Sequence, residues 1–305
     1  MRSSGRWSPP LNLGVWASSA TDVRRRSASV EGDDARGAWW VETDTVRSRS
    51  PGIYADAYRY ELDLVSRDPA LSPIVREVSV VVSDSSRHGD GSGGPESVRE
   101  ARGRDLPVPP RSQMVFPDGG EVWCSPTSLS MVMAYWSGET GDPGLDRPVP
   151  EVAEGVYDYA YEGWGNWPFN TAYAAASGLE ARVSRFGSLD EAEGWVGAGV
   201  PPVASVAWDN GKTGQGLAGA PLARSDGHLL VIRGFTASGD VVVNDPAAPD
   251  DAGARRVYDR GEFSRAWFRN RGSSGGIVYL VYPPGRTTPR ASASRGSSRG
   301  PTSLP

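Results

Sequence analysis

The sequence has few of the residues that most often carry a protein's chemistry. Cysteine occurs once and histidine twice in 305 residues. A single cysteine excludes an internal disulfide, so cysteine usage indicates no cellular compartment. These three residues do not form the ligand cluster with which proteins hold zinc. The sequence therefore predicts no metal site and no cofactor.

Lysine is equally scarce, since Lys212 is the only one and nearly all positive charge comes from arginine. The net charge of -5 gives no reason to expect a nucleic-acid partner. No apolar run reaches the roughly 18 residues that cross a bilayer, so we expect no membrane span. Residues 1–10 lack the hydrophobic core of a secretory signal. A genuine start at Met1 would therefore favour a cytoplasmic protein.

Composition divides the chain into four regions. Residues 1–84 are rich in strand-forming patterns, and residues 85–105 are rich in glycine, serine and charge, which is typical of a flexible linker. Residues 106–283 are long enough for one larger domain. Residues 284–305 consist mainly of serine, arginine, glycine and proline, and this composition predicts a disordered tail.

The first region is predicted to be a small β-sandwich-like domain. Apolar and polar residues alternate over 58–64 and 78–82, and residues 37–43 resemble another strand. About five strands are few for a closed sandwich, so the domain is expected to be incomplete at its N-terminus. Its aromatic residues favour core packing, with a surface for cell-wall glycan as the alternative; they are Trp39, Trp40, Tyr58 and Tyr60.

The lone cysteine stands where a loop is predicted to become a helix. Pro126 is tolerated in a first helical turn, and Gly138 is the expected C-terminal stop. The intervening apolar spacing predicts one buried face, formed by Leu129, Val132, Met133 and Trp136. Free N–H groups at a helix start favour an anion, which makes Cys124 a candidate thiolate nucleophile. The alternative is a small buried side chain without chemistry.

One of the two histidines is a plausible partner for a thiolate. His88 lies in the predicted linker and is expected to be solvated and idle. His228 opens an apolar, β-branched strand, and a turn at residues 237–239 leads to a second strand that ends before Asn244 and Asp245. In such a hairpin His228 and the Asn244–Asp245 pair lie at the same end, on strands roughly 4.8 Å apart.

Further elements complete an α+β pattern around these residues. Helices are predicted over 152–161 and 167–176, and another from Ser188 onward. Strands are predicted over 202–208 and over 277–282, the latter closing the sheet. The glycine-rich residues 211–216 match no phosphate-binding pattern and are interpreted as a flexible rim of a substrate cleft.

The order cysteine, histidine, then aspartate or asparagine is that of papain-like cysteine peptidases. More narrowly, the sequence resembles cysteine peptidase family thirty-nine, the bacteriocin leader-processing type, and its secreted bacterial relatives. The resemblance spans about residues 106–283, and the matching segments are residues 123–128, 161–170, 227–230 and 244–246. Serine follows Cys124 where the family has glycine, and no ATP-transporter segment accompanies the peptidase.

The resemblance implies a papain-like peptidase domain with Cys124 as nucleophile, His228 as general base and acid, and Asp245 as the orienting residue. It also implies a glutamine in the oxyanion hole, for which Gln113 is the candidate although its spacing from the cysteine is longer than in papain. The implied cleft is narrow and accepts small residues such as glycine. Trp123, Trp164 and Trp167 are the candidates for its walls.

The expected function is thus hydrolysis of peptide bonds through a thioester acyl-enzyme, with a peptide or protein as substrate. Two alternatives stay open. One is a papain-fold amidase or acyltransferase, and the other is a non-catalytic protein that binds cell-wall glycan through the N-terminal domain. The resemblance implies an extracellular location, although residues 1–10 carry no signal peptide.

Overall fold

A computed structural model describes residues 1–19, 23–28, 37–66, 68, 70, 72, 74–84 and 101–289. Up to residue 84, the described residues form three separate two-stranded antiparallel sheets. Their strands are β1 (Arg2–Ser3) with β2 (Arg6–Trp7), β3 (Gly14–Val15) with β4 (Arg26–Ser27), and β5 (Trp39–Glu42) with β6 (Thr45–Ser48).

Residues 101–289 contain most of the regular structure. The helices are α1 (Cys124–Thr140), α2 (Val149–Val156), α3 (Trp167–Ala176), α4 (Leu189–Gly197) and α5 (Arg260–Phe268). The strands are β7 (Glu180–Arg185), β8 (Val203–Asp209), β9 (Arg224–Phe235), β10 (Val241–Asn244), β11 (Arg255–Tyr258) and β12 (Ile277–Tyr282). They form one antiparallel sheet in the order β11-β10-β9-β8-β12-β7.

The predicted hairpin is present as β9 and β10. Asn244 pairs with Val231, and Val206 of β8 pairs with His228. The antiparallel pairing brings the middle of β9 beside the end of β10, because the second strand runs back along the first. His228 and Asp245 therefore lie at the same end of the sheet, as the hairpin pattern predicted.

Helices cover both faces of the sheet. Tyr279 and Tyr282 of β12 are an odd number of residues apart, so their side chains point to opposite faces. The Tyr279 hydroxyl lies 3.0 Å from Ser125 Oγ of α1, and the Tyr282 ring lies 5.7 Å from that of Trp195 in α4. Helix α1 and helix α4 thus enclose the sheet from its two sides. The sheet with its covering helices is the α+β arrangement that the sequence predicted.

Helix α1 is buried on every side rather than on one face. All residues from Ser125 to Trp136 are buried, because β9, β12, α2 and α3 surround the helix. Its polar side chains find partners inside the protein: Ser128 Oγ donates to the Leu229 carbonyl at 3.0 Å, and Trp136 Nε1 donates to the Val281 carbonyl at 2.7 Å. The prediction that only one face of α1 is buried was therefore wrong, because the serines on its other faces are buried as well.

The predicted end of α1 was also wrong. Gly138 lies within the helix, which continues to Thr140 and ends at Gly141. Gly141 has φ 74°, the left-handed conformation that glycine adopts at low cost, and its N–H donates to the Ser137 carbonyl at 2.9 Å. Two glycines near a helix end offer two stops, and only the backbone conformation distinguishes them.

The remaining predicted elements agree in position with small differences. Helix α3 has the predicted bounds, and α4 begins directly after Ser188. Helix α2 begins and ends earlier than predicted, because Pro148 precedes its first turn and residues 157–166 form a loop instead. Strand β12 does not close the sheet, since β7, which was not predicted, pairs outside it.

The predicted sandwich in residues 1–84 is not confirmed. Residues 58–64 and 78–82 carry no strand, and Tyr58 and Tyr60 are 46% and 62% exposed, so the strand and core predictions fail there. Alternation stabilises a strand only where a second strand supplies hydrogen bonds, and none pairs with these segments among the described residues. Trp39, in contrast, is buried in β5 as expected for a core residue.

Residues 101–105, which the sequence assigned to the end of a linker over 85–105, pack against the larger domain. Ala101 is buried, and Arg102 and Asp105 form bridges with Phe235 and Gly234 at the end of β9. The N–H of Leu106 donates to the Arg233 carbonyl at 2.8 Å. Residues 101–105 thus belong to the larger domain. Residues 85–100, with His88, and tail residues 290–305 lie outside the described residues.

Within the described residues, no helix combines the length and the apolar character that crossing a membrane requires.

Candidate active site

Cys124 is the first residue of α1, as predicted. The N–H of Thr127 donates to the carbonyl of Trp123 at 3.0 Å and closes the first turn. Cys124 is half-buried, and the backbone N–H groups of Ser125 and Leu229 face its thiol and lower its pKa. A helix start and two amide donors make this a favourable position for a negatively charged sulfur.

His228 lies on β9 and interacts with the Cys124 sulfur, since each of the two groups shifts the pKa of the other. Its Nε2 lies 2.8 Å from Asp245 Oδ1, which leaves Nδ1 for the thiol. Trp208 on β8 meets the imidazole edge to face, with ring centroids 5.4 Å apart. His228 is buried, and these contacts hold its ring in one orientation.

Asp245 is fully buried behind the imidazole. Besides His228, it accepts a hydrogen bond from the Tyr258 hydroxyl, at 2.6 Å to Oδ2, and one from the Ala247 N–H, at 3.0 Å to Oδ1. Both carboxylate oxygens are therefore used. Three donors compensate for taking a charged group out of water, which would otherwise be very costly.

Asn244 points away from the histidine. Its Oδ1 accepts from Arg233 Nη1 at 2.9 Å, and its Nδ2 donates to the Val108 carbonyl at 3.0 Å. Successive strand residues face opposite sides, so Asn244 and Asp245 cannot both reach the imidazole. Of the two neighbours that the sequence left open, Asp245 contacts His228 and Asn244 anchors the chain near residue 108.

The charges of this buried cluster are mutually dependent. Burial opposes ionisation of the Cys124 thiol, but the hydrogen bond and positive charge of His228 outweigh it and lower the pKa of Cys124. Burial likewise opposes protonation of the imidazole, but Asp245 and Cys124 together raise the pKa of His228 to about 10. Burial works against the charged form of Asp245 as well, yet His228 and Tyr258 lower its pKa. The cluster therefore favours a thiolate beside an imidazolium.

Gln113 lies next to this cluster along the backbone. Its N–H donates to the carbonyl of Pro246, the residue after Asp245, at 2.8 Å. The chain then folds back, so that Gly120 lies directly against the Gln113 carbonyl. A Cβ at residue 120 would lie only 2.1 Å from that oxygen. The short turn Gly120–Val122 then leads towards Cys124. The fold-back accommodates the long spacing between glutamine and cysteine. Gln113 is buried, and its Oε1 has no hydrogen-bond partner in the described part of the chain.

Trp123 and Trp164 form what we call the aromatic wall. Their rings meet edge to face with centroids 5.9 Å apart, and Trp123 immediately precedes Cys124. Both residues are half-buried, so each keeps an accessible part. Trp167, the third predicted wall residue, starts α3 and packs against the hydrophobic core. No ring contact joins it to the other two among the described residues.

Several residues of the site were not predicted. Tyr258 binds the far oxygen of Asp245, and Trp208 packs on His228. Trp208 stood in a predicted strand leading toward the site, so its position was available as a signal. Tyr258 lies on β11, which the sequence analysis did not recognise because residues 255–258 show no alternation of polar and apolar side chains.

A helix that begins at a cysteine and packs on an antiparallel sheet carrying a histidine is the architecture of papain-like folds. Residues 105–274, more than half of the chain, match the model of the Peptidase C39 like family, and residues 1–83 match that of a Peptidase C39 N-terminal domain. The chain belongs to the Peptidase C39 like family and is a cysteine-type peptidase. The predicted family and enzyme class are thereby confirmed.

Among solved structures, the chain is similar to a double glycine motif protease from an AMS/PCAT transporter, crystallised in complex with the leader peptide. The two share 23% identity with a TM-score of 0.38, over 59% of this chain and 94% of that one. No curated protein matches the sequence.

Proposed function

We propose that the chain hydrolyses peptide bonds with Cys124 as nucleophile, His228 as general base and acid, and Asp245 as the orienting group. One observation carries this proposal: the half-buried thiol, the buried imidazole and the buried carboxylate lie in a series, in which His228 is bonded to Asp245 at 2.8 Å and lowers the pKa of Cys124. The family supplies the reaction class, and this series supplies the residues.

In the proposed first step, the thiolate of Cys124 attacks the carbonyl carbon of the scissile bond. The imidazolium of His228 then gives its proton to the leaving nitrogen as the carbon–nitrogen bond breaks. An amine leaves, and a thioester joins the remaining acyl group to the sulfur. Asp245 stabilises the imidazolium and holds its Nε2, so that the other ring nitrogen faces the sulfur.

In the second step, His228, now neutral, accepts a proton from water as the water oxygen attacks the thioester carbon. The carbon–sulfur bond breaks, the carboxylic acid leaves, and the thiolate and imidazolium are restored. Every proton taken by His228 in this cycle is returned, so the reaction needs no co-reactant other than water.

The substrate is proposed to carry a small residue, such as glycine, next to the scissile bond. The support is the aromatic wall, since Trp123 lies directly beside Cys124 and Trp164 packs against it. Two large rings at this position leave little room for a bulky side chain. Replacement of Trp164 by alanine would therefore widen the range of accepted residues.

Cleavage of a proteome-derived peptide library tests the function on many candidate substrates at once. Mass spectrometry of the new termini gives the residues on both sides of the cleaved bond. Reaction in ¹⁸O-labelled water separates hydrolysis from acyl transfer, since only hydrolysis places the label in the new carboxylate. Absence of new termini with the wild-type protein, at a pH where the thiol is alkylated rapidly, would contradict peptide hydrolysis.

Asp245 and Asn244 give a matched pair of variants one residue apart. Asp245→Ala is expected to lower kcat by about 10⁴-fold, less than the roughly 10⁶-fold for loss of the histidine of such a site. Asn244→Ala is expected to lower the midpoint of thermal unfolding, because it releases Arg233 and the Val108 carbonyl, while iodoacetamide still alkylates Cys124 at the wild-type rate. Steady-state kinetics and thermal unfolding measure the two effects. The reverse pattern would assign the orienting role to Asn244.

Gln113 is proposed to donate its side-chain N–H to the oxygen that becomes negatively charged during attack. Its support is its place, since Gln113 is buried and its backbone N–H is bonded to the carbonyl of Pro246, the residue that follows Asp245. Gln113→Ala is expected to lower kcat by about 100- to 1,000-fold, the usual loss for one such donor. Alkylation of Cys124 by iodoacetamide should proceed at nearly the wild-type rate, because the thiolate and imidazolium stay intact.

Gln215 is the matched control for that experiment, since it is the other glutamine of the chain. It binds the Arg271 N–H in the loop after β8. Gln215→Ala should therefore keep both kcat and the alkylation rate. Equal kcat for Gln113→Ala and Gln215→Ala would remove Gln113 from the oxyanion hole.

A further inference from the structure

The loop of residues 157–166, between α2 and α3, carries Trp164 of the aromatic wall. Buried Asp158 organises this loop from within. Its Oδ1 accepts from the Ala160 N–H at 3.0 Å and the Tyr161 N–H at 3.2 Å, and its Oδ2 accepts from Asn166 Nδ2 at 2.9 Å. The loop is therefore shaped by a few specific hydrogen bonds rather than by regular secondary structure.

The N-terminal region holds the first end of this loop through β4. Arg25 is 2% exposed, and its guanidinium donates to the Glu154 carbonyl at 2.5 Å and the Tyr157 carbonyl at 3.5 Å. The Arg25 carbonyl accepts from the Tyr159 N–H at 3.0 Å. The N–H of Ser27 reaches the same carboxylate that organises the loop, at 2.9 Å from Asp158 Oδ1.

A second contact holds the other end of the loop. Asp44, in the turn between β5 and β6, accepts the N–H of Trp167 at 2.9 Å on Oδ2. Trp167 is the first residue of α3, where the free N–H groups of a helix favour a carboxylate. The Thr45 hydroxyl holds Asp44 Oδ1 at 2.9 Å. The carboxylate thus bridges the N-terminal hairpin and the start of α3.

These contacts are linked through Trp164 to the residue that precedes Cys124. Trp164 is in ring contact with Tyr157 on one side, at 5.0 Å, and with Trp123 on the other. Burial, together with the negative charges of Cys124 and Asp44, raises the pKa of Tyr161. The loop thus connects residues held by the N-terminal region with the residue that precedes the nucleophile.

We propose that Arg25 and Asp44 are positioning residues that fix the loop of residues 157–166, and that the N-terminal region thereby shapes the substrate-binding side of the active site. The proposal rests on the proposed function for its consequence on peptide binding. The clamp itself is a claim about the loop and is measurable without a substrate. The two residues hold opposite ends of the loop, so removal of either one frees the loop at that end.

Hydrogen–deuterium exchange of the full chain tests the clamp directly. In Arg25→Ala and Asp44→Ala, the amides of residues 158–166 are expected to exchange about tenfold faster, while those of the central strand β9 keep the wild-type rate. Arg26→Ala is the matched control for the first variant, since Arg26 is the next residue in the chain and its side chain is exposed. Asp56→Ala is the control for Asp44→Ala, because Asp56 forms an ion pair with Arg2 at the surface.

Kinetics then separate positioning from catalysis. On a peptide found by the library experiment, KM should rise about tenfold in both variants, with kcat and the iodoacetamide rate of Cys124 within twofold of wild type. Asp44→Asn keeps an oxygen that accepts the Trp167 N–H, and it should restore most of the loss. If Arg25→Ala does not fold, the same measurements are made on Arg25→Lys, Asp44→Ala and Asp44→Asn.

Unchanged exchange of residues 158–166 in a folded Arg25 variant and in Asp44→Ala would overturn the clamp. Faster exchange with unchanged KM would overturn its role in peptide binding. Failure of the proposed function has a different signature, because the wild-type protein would then cleave no peptide while its loop exchange still depended on Arg25 and Asp44.

Discussion

Cys124→Ala is expected to abolish peptide hydrolysis, with a loss of about 10⁶-fold in kcat, while the fold stays intact. The size of the loss follows from covalent catalysis, since removal of a nucleophile leaves only substrate binding and oxyanion stabilisation. The fold should survive because the substitution removes one half-buried sulfur atom from the end of a helix whose other residues stay packed. Peptide-library cleavage and thermal unfolding measure the two parts of this expectation.

Cys124→Ser is the closest control, because it keeps the size and a hydroxyl but lacks the acidity of a thiol. It should fold like the wild type and hydrolyse peptides at a small fraction of the wild-type rate. Full activity of purified Cys124→Ala would show that Cys124 is not the nucleophile. If Cys124→Ala loses its fold as well as its activity, the role of the sulfur is judged from the activity of folded Cys124→Ser instead.

His228→Ala is expected to slow alkylation of Cys124 by about 100-fold at pH 6. The imidazolium lowers the pKa of the thiol, and without it burial acts in the opposite direction. A thiol with an ordinary pKa near 8.5 is less than about 1% ionised at pH 6, whereas the paired thiol keeps more of its thiolate. Iodoacetamide labelling from pH 5 to pH 11 gives both profiles.

The same profile separates the two ionisations. His228 has a raised pKa of about 10, so the imidazolium persists up to that pH and is lost as the pH rises further. Hydrolysis needs the imidazolium to protonate the leaving amine, and kcat/KM should therefore fall above pH 10. Alkylation needs only the thiolate and should not fall there. The acidic limb of both curves follows the lowered pKa of Cys124.

His88→Ala is the matched control, since His88 is the only other histidine. It should label at the wild-type rate over the whole range. Identical pH profiles for wild type and His228→Ala would show that the thiolate does not depend on His228, and the proposed pair would have to be given up.

Local sequence signals were sufficient to predict the positions of the proposed reacting groups. Pro126 indicated a first helical turn, and with it the position of Cys124 at the helix start. The two apolar runs after His228 predicted a hairpin, and antiparallel pairing then placed His228 and Asp245 at one end. Choosing Asp245 over Asn244 required the direction of each side chain, which an uncertain strand register does not give.

The rest could not be predicted because it depends on contacts between distant segments. Tyr258 reaches Asp245 only through the pairing of β11 with β10, and Arg25 reaches residue 157 across more than a hundred residues. Residues 58–64 show the converse: their alternation is that of a strand, but no neighbouring strand pairs with them in the described part of the chain. An alternating sequence favours a strand, but the strand forms only where a second strand pairs with it.

The buried helix α1 has a consequence for the order in which the protein is synthesised. Cys124 emerges from the ribosome about a hundred residues before His228, and α1 is anchored through Trp136 to Val281, near the end of the larger domain. Until β9 and β12 exist, the thiol has neither its base nor its enclosing sheet, so it stays largely protonated at neutral pH. On the proposed mechanism, proteolytic activity therefore begins only when the domain is complete.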